Sequence, residues 1–364
     1  MVTTTRELHL LDRRVTFARL SIATCLLFGQ SYANSQNQQF FNIHDPGASL
    51  ISRIENIPKF ALPVDCTLGK SCHVLAYMDR KPGPEFMDFG GGRQTYDEHD
   101  GTDFGIADET VMARGVAVKA AAAGLVVRVR DGVVDKRVEN PQQAAAIDKI
   151  GCGNAVVIDH SSEWRTYYCH LRNSSLTVTP GMRVEQGAVL GMVGMSGLAS
   201  YPHVHFGVLY RGKKIDPFLE LTATGTGDEN GPGLWQEAIK YVPTGLVSAG
   251  FSSKKADIGA IWQGTVTITA LTTTAPAIVF WVHPFGVLVG DVEQIRLIAP
   301  DGKMVLERKA VIKSSNRINW LSVIGQRNTP AKPLRLGTWK GEYQLWRNEK
   351  LLIDIKREIE VTPA

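Results

Sequence analysis

Tyr201-Pro202-His203-Val204-His205-Phe206-Gly207 is the stretch whose register decides how this chain folds. An extended strand sends alternate side chains to opposite faces, so His203 and His205 share one face. Val204, Phe206 and Val208 take the other face and read as core. Two imidazoles side by side on a sheet are poor packing material, because each carries ring nitrogens that need partners. They suit first contact with a ligand or a reacting group. Taken without the rest of the chain, two surface histidines on an edge strand would read equally well.

The partner lies upstream, in Tyr96-Asp97-Glu98-His99-Asp100-Gly101-Thr102-Asp103-Phe104-Gly105. His99 and Asp103 offer an imidazole and a carboxylate four residues apart, and Gly101 lets the backbone between them turn tightly. Two histidines and a carboxylate around an ion with an open position describe a catalytic zinc site. Nitrogen-rich ligation favours zinc over calcium or magnesium. Spacing does not choose between His203 and His205, since both could reach the ion. A third element is Tyr167-Tyr168-Cys169-His170-Leu171, which places His170 at a strand end, within reach of a cleft.

These three elements, in this order, resemble the lysostaphin-type zinc endopeptidases (LytM-like, or β-lytic, metallopeptidases). The matching residues are His99-x-Gly101-x-Asp103, Tyr168-x-His170-Leu171 and His203-x-His205-Phe206. Gly153-Asn154-x-Val156-Val157-Ile158-x-His160 and Gly181-x-x-Val184-x-x-Gly187 look like framework of the same family. The resemblance covers about residues 95–218 and says nothing of the C-terminal third. It implies that His99, Asp103 and His205 hold Zn2+, and that His170 and His203 are the catalytic histidines. It also implies a substrate, the peptide part of peptidoglycan. In such a site the ion polarises the scissile carbonyl and acidifies water. We assign His203 as general base, since an imidazole titrates near pH 6.5, and His170 as donor to the oxyanion. The family commonly has small residues before the histidine pair, whereas this chain has Ala199-Ser200-Tyr201-Pro202. Tyr201 is therefore expected to protrude near the cleft, and the insertion Asp131–Ile150 to form another groove wall.

The rest of the chain sets the context. Its 364 residues suffice for two ordinary domains. Apolar content of 44% and charged content of 21% are those of a globular protein. Arg13, Arg14 and Arg19 precede the apolar run Leu20–Phe28, and Ser31-Tyr32-Ala33 offers a cleavage site. Residues 1–33 thus read as a secretory signal peptide, with an uncleaved anchor as the alternative. Without them 36 basic and 34 acidic residues remain, a net charge of +2 that indicates no nucleic-acid partner. No other segment is apolar and long enough to insert stably in a membrane. Periplasm or secretion follows.

Of the five cysteines Cys25 lies in the leader, leaving Cys66, Cys72, Cys152 and Cys169. An even number in an exported chain suggests two disulfides, with three pairings open. Cys66 and Cys72 flank a turn-like loop that favours a local bridge. Cys152 and Cys169 bracket two strand-like runs and would face each other in a hairpin. A zinc site built from the four lacks Cys-x-x-Cys spacing.

Short strands between Gly-rich turns imply an all-β chain. Strands are expected at Val118–Ala121, Gly124–Arg130, Ala155–Asp159, Arg165–His170, Val189–Gly194 and His203–Tyr210. Helices are expected at Ala48–Glu55 and Pro141–Lys149. We divide the chain into a 34–95 segment with a local disulfide loop, a zinc metallopeptidase domain at 96–222 forming a small antiparallel β-sandwich or groove, a linker at 223–232, and a C-terminal immunoglobulin-like β-sandwich at 233–364. The last would position the enzyme or bind a protein partner. Its expected strands include Thr265–Leu271, Ala277–Val282, Arg317–Leu321, and separate Lys350–Lys356 and Glu358–Val361. Trp339, Tyr343 and Trp346 read as sandwich core, with a carbohydrate-stacking surface as the alternative. His44, His73 and His283 read as surface or packing residues, and His160 as closing a hairpin turn. Two other functions stay open: a protease acting on glycine-rich proteins, and a non-catalytic relative that regulates a cell-wall amidase.

Overall fold

The computed structural model describes residues 57–161, 163–219, 233–314 and 318–364. The expected leader, the helix at Ala48–Glu55 and the linker at 223–232 lie outside them. The regular structure of the described chain is mostly strand. In order these are β1 (Cys72–Ala76), β2 (Thr102–Ile106), β3 (Ala117–Lys119), β4 (Gly124–Arg130), β5 (Asn154–Asp159) and β6 (Trp164–Leu171). Then follow β7 (Arg183–Val184), β8 (Val189–Met192), β9 (His203–Tyr210), β10 (Lys213–Ile215), β11 (Gly245–Ser252) and β12 (Ala270–Thr272). The last six are β13 (Ala277–Phe285), β14 (Val292–Ile298), β15 (Met304–Val311), β16 (Ser322–Arg327), β17 (Gly337–Arg347) and β18 (Lys350–Thr362). Three short helices interrupt them: α1 (Glu109–Arg114), α2 (Pro141–Ile147) and α3 (Ile258–Trp262).

β9 sits inside an eight-stranded sheet of order β1-β2-β9-β6-β5-β4-β7, with β10 also paired to β9. Val204, Phe206 and Val208 point into the first core together with Phe104, Val156, Ile158 and Tyr168. β3 and β8 form a second, two-stranded layer, and their Val118 and Leu190 close that core from the other side. A strand paired on both edges and carrying large apolar groups on one face leaves its other face as a fixed platform. On that platform stand His203 and His205.

Two disulfides are present, Cys66–Cys72 and Cys152–Cys169. The 57–95 stretch is woven into the same sheet: β1 pairs with β2, and Phe60, Tyr77 and Phe89 are core residues. Leu234 and Trp235, just after the expected linker, also pack in this first core.

The C-terminal strands form a three-stranded sheet, β11-β13-β16, and a five-stranded sheet, β12-β18-β17-β14-β15. Ile278, Phe280 and Val282 of one meet Ile295, Leu297, Tyr343 and Ile353 of the other in a second core. Trp339 and Tyr343 are fully buried in it, so this pair is packing and not a stacking surface. A separate smaller cluster lies where the two sets of strands meet: Leu75 of β1 and Tyr201 before β9 pack with Val247 of β11, Trp262 of α3 and Phe285 of β13. Residues of β1 and of the loop before β9 are therefore covered by the C-terminal sandwich.

Some sequence expectations shift. Val118–Ala121 becomes β3 at Ala117–Lys119, and Val189–Gly194 shortens to β8. Thr265–Leu271 is strand only from Ala270, and the strand expected at Arg317–Leu321 lies instead at Ser322–Arg327. The two final strands are one, with a register shift between Leu345 and Trp346 on its partner β17.

Candidate metal centre

Each site residue is delivered by a different part of the fold. β2 runs antiparallel to β9, setting Asp103 opposite His205 and Gly105 opposite His203. His99 comes from the loop before β2, where its backbone N–H donates to the Tyr96 carbonyl at 3.1 Å. Gly101 matters for space more than for conformation: a Cβ there would lie 2.5 Å from His205 Nε2. Any side chain at that position would push the imidazole away.

The three groups converge. Asp103 Oδ1 lies 3.1 Å from His99 Nε2 and 3.0 Å from His205 Nδ1, and the two nitrogens are 3.1 Å apart. All three residues are buried. Among the described residues, His99, Asp103 and His205 are the group able to offer three mutually close donor atoms. Tetrahedral donors bound to zinc at about 2.0–2.1 Å sit about 3.3 Å from one another, so the spacing fits that ion.

The remaining nitrogens are committed elsewhere, which aims the lone pairs inward. His99 Nδ1 donates to the Tyr77 carbonyl at 2.6 Å. His205 Nε2 donates to Asp100 Oδ1 at 3.1 Å, and Lys214 Nζ meets the other Asp100 oxygen at 2.9 Å. Burial pushes the Asp100 carboxyl up, but the bond and charge of His205 and the Lys214 ammonium outweigh it and hold the carboxyl well down. For Asp103 burial likewise pushes up, and the surrounding His99, His203 and His205 win, so it stays ionised. Burial lowers His205, whereas its bonds to Asp100 and Asp103 raise it to about 10.

His170 and His203 stand beside this cluster with ring centroids 4.6 Å apart. Each is oriented through Nδ1, which donates to a carbonyl at 2.8 Å: Ser196 for His170 and Tyr201 for His203. Both thereby present Nε2, and His203 Nε2 lies 3.7 Å from Asp103 Oδ1. His170 has φ 62°, a left-handed conformation uncommon for a residue with a side chain. It is held there where β6 ends, by its backbone N–H to the Cys152 carbonyl and by the adjacent Cys152–Cys169 bridge. Burial first, then the charges of His203 and His205, depress its pKa; burial also depresses that of His203.

The five residues singled out from sequence therefore meet in space. Others were missed. Asp100 carries no assignment from the sequence, although its place beside His99 is the available signal. Tyr201 was expected to protrude, and the structure corrects this. Its ring is 3% exposed, stacked between His203 and Trp262, and its hydroxyl donates to Asp103 Oδ2 at 3.1 Å. His160 bonds the Ala123 carbonyl and Thr166, away from the cluster. The insertion carries α2 and runs along the 194–199 loop, with Asp135 accepting from the Met195 N–H and the Val138 N–H donating to the Ala199 carbonyl.

A buried His-Asp-His cluster on the face of a β-sheet, with two further histidines beside it, is an arrangement that could hold a metal ion. Residues 97–217 match the model for peptidase family M23, and this stretch is a domain of that family. The chain is 30% identical over 118 residues to the peptidoglycan DD-endopeptidase ShyA of Vibrio cholerae, covering 32% of this chain and 22% of that protein. It is 30% identical over 131 residues to the uncharacterized lipoprotein YgeR of Escherichia coli, covering 36% and 44%. The chain thus spans less than half the length of these curated relatives. The catalytic domain of lysostaphin from Staphylococcus simulans aligns with 23% identity and a TM-score of 0.25, over 39% of this chain and 86% of that one.

Proposed function

We propose that this chain is an exported, zinc-dependent endopeptidase that hydrolyses peptide bonds in peptidoglycan stem peptides or cross-links. The observation that carries this reading is the convergence of His99 Nε2, Asp103 Oδ1 and His205 Nδ1 beside two histidines that both present Nε2. In this reading those three atoms hold the ion, which when bound supplies Lewis acidity and makes water acidic enough to ionise near neutral pH. His203 accepts the proton, because its Nδ1–H is already given to the Tyr201 carbonyl. His170, tied to Ser196 and kept neutral at rest by burial, turns Nε2 to the same place and donates to the developing oxyanion only after taking up a proton. The peptidoglycan endopeptidase among the relatives supports the substrate class.

Export rests on the leader-like residues 1–33 and is supported by the two disulfides, which persist in oxidising compartments. Among the described residues no helix is long and apolar enough to cross a membrane. The C-terminal sandwich is read as immunoglobulin-like on its two sheet orders, with a positioning or partner-binding role.

The test is digestion of purified sacculi with mass spectrometry of the released muropeptides. Wild-type protein should release cut stem peptides or cross-links, and His203→Ala should be slower by roughly 10²–10⁴-fold while retaining its metal. Cleavage of a glycine-rich protein but not of sacculi would replace the substrate. No cleavage of either, together with activation of a wall amidase, would replace the enzyme by a regulator.

A further inference from the structure

Tyr201 links three things that sequence keeps apart. Its hydroxyl donates to Asp103 Oδ2 at 3.1 Å, the carboxylate oxygen that does not face His99 and His205. Its ring stacks on His203, with centroids 4.5 Å apart and an interplanar angle of 30°. On its other side lies the Trp262 indole at 5.4 Å and 23°. Trp262 belongs to the C-terminal sandwich, where it ends α3 and is fixed from two further directions. Its Nε1 donates to Asn319 Oδ1 at 2.9 Å, and its ring meets His283 edge-on at 4.7 Å. Gly105 lies beside the ring: a Cβ there would collide with Leu75 at 2.4 Å and reach Tyr201 only at ordinary contact distance, 3.4 Å. The enclosure is complete: Tyr201 is 3% and Trp262 2% exposed.

We infer that Tyr201 is a positioning residue for Asp103 and His203, and that the C-terminal sandwich completes the metal centre by clamping Tyr201 through Trp262. The physical reason is orientation. A carboxylate bound through one oxygen can rotate, and a donor on the second oxygen fixes its plane and tunes its basicity. A phenol does this only if its own ring cannot tilt, and two flat neighbours prevent the tilt. The inference rests on the metal-site reading above, and extends it to a residue of the C-terminal strands' side of the molecule.

Zinc affinity is the decisive readout, measured on the full chain by competition with a chromogenic chelator, alongside melting of the zinc-free protein. Tyr201→Phe removes one oxygen and keeps the stack. It should raise the zinc Kd roughly 10–100-fold and shift the absorption of the cobalt-substituted protein, with little change in zinc-free melting. Trp262→Leu should move Kd in the same direction. The double variant should bind no more weakly than Tyr201→Phe alone, because both act through one hydroxyl. If Trp262→Leu does not fold, Asn319→Ala takes its place with the same expectation. Wild-type affinity in Tyr201→Phe, or full additivity in the double variant, overturns the inference and leaves the site reading standing. A wild-type chain that takes up no zinc overturns both.

Discussion

Asp100 shows how a carboxylate outside the three converging groups fixes a ring within them. Its Oδ1 accepts from His205 Nε2 at 3.1 Å, and that bond decides which ring nitrogen of His205 carries the proton. With Nε2 held by Asp100, Nδ1 is the nitrogen left facing Asp103 and His99, and the one that would give up its proton to an ion. Lys214 holds the other carboxylate oxygen at 2.9 Å, so the pair is braced from outside the cluster. Asp100→Ala should therefore weaken zinc binding by roughly 10–100-fold without abolishing it. Chelator competition checks this, and an unchanged Kd would mean that backbone geometry alone orients the ring. His99 needs no such carboxylate, because the Tyr77 carbonyl performs the same task.

At the scale of elements, the hairpin of β5 and β6 is the piece on which His170 depends. Cys152 and Cys169 close its open end with Cα atoms 4.9 Å apart, and Cys169 lies opposite His205 across the β6–β9 ladder. The bridge closes a short loop, so Cys152→Ser or Cys169→Ser should cost about 3 kcal/mol of stability. Melting of the oxidised wild type against either variant measures it. Zinc content in the folded fraction should persist, since His170 is not among the three converging donors. Unchanged melting would remove the bridge from the account.

Elements were legible from the sequence where side-chain alternation was strong. β4 and β9 have the expected ends, because β-branched and aromatic residues alternate cleanly within them. β11, Gly245–Ser252, was missed: Gly, Ser and Ala blunt the period-two pattern even though the strand is paired along its length. α3 escaped notice because five residues are too few for a helical period to register, and its Asp257 cap is a local signal only. The meeting of the five site residues was legible through the family resemblance, since spacing alone did not choose between His203 and His205. The burial of Tyr201 was not, because Trp262, sixty-one positions further along, supplies the covering surface.

For the molecule as a whole, the seam between the two cores carries two buried histidines. His73 of β1 packs on Phe285, and His283 of β13 meets Trp262 edge-on. Burial lowers both to about 4; in His283 the carbonyl of Ile318 opposes this and the nearness of His73 adds to it. An unfolded histidine titrates near 6.5, so between about pH 6.5 and 4 the unfolded chain binds more protons than the folded one. Stability present above pH 6.5 should therefore be lost as pH falls through that window, by up to about 3 kcal/mol for each residue. Asp216, raised to about 6 chiefly by burial, contributes in the opposite sense, so a comparison between variants is needed. Melting at pH 7 and pH 4.5 should fall less for the double variant His73→Gln/His283→Gln than for wild type. An equal fall in both would contradict the assignment.

The central claim is that three distant segments grip one ion. The most direct measurement is elemental analysis of the purified full chain beside its Asp103→Ala variant, both dialysed against the same trace of zinc. The account predicts one zinc per wild-type chain and essentially none in the variant. A wild-type protein without zinc, or a variant that keeps it, would contradict it.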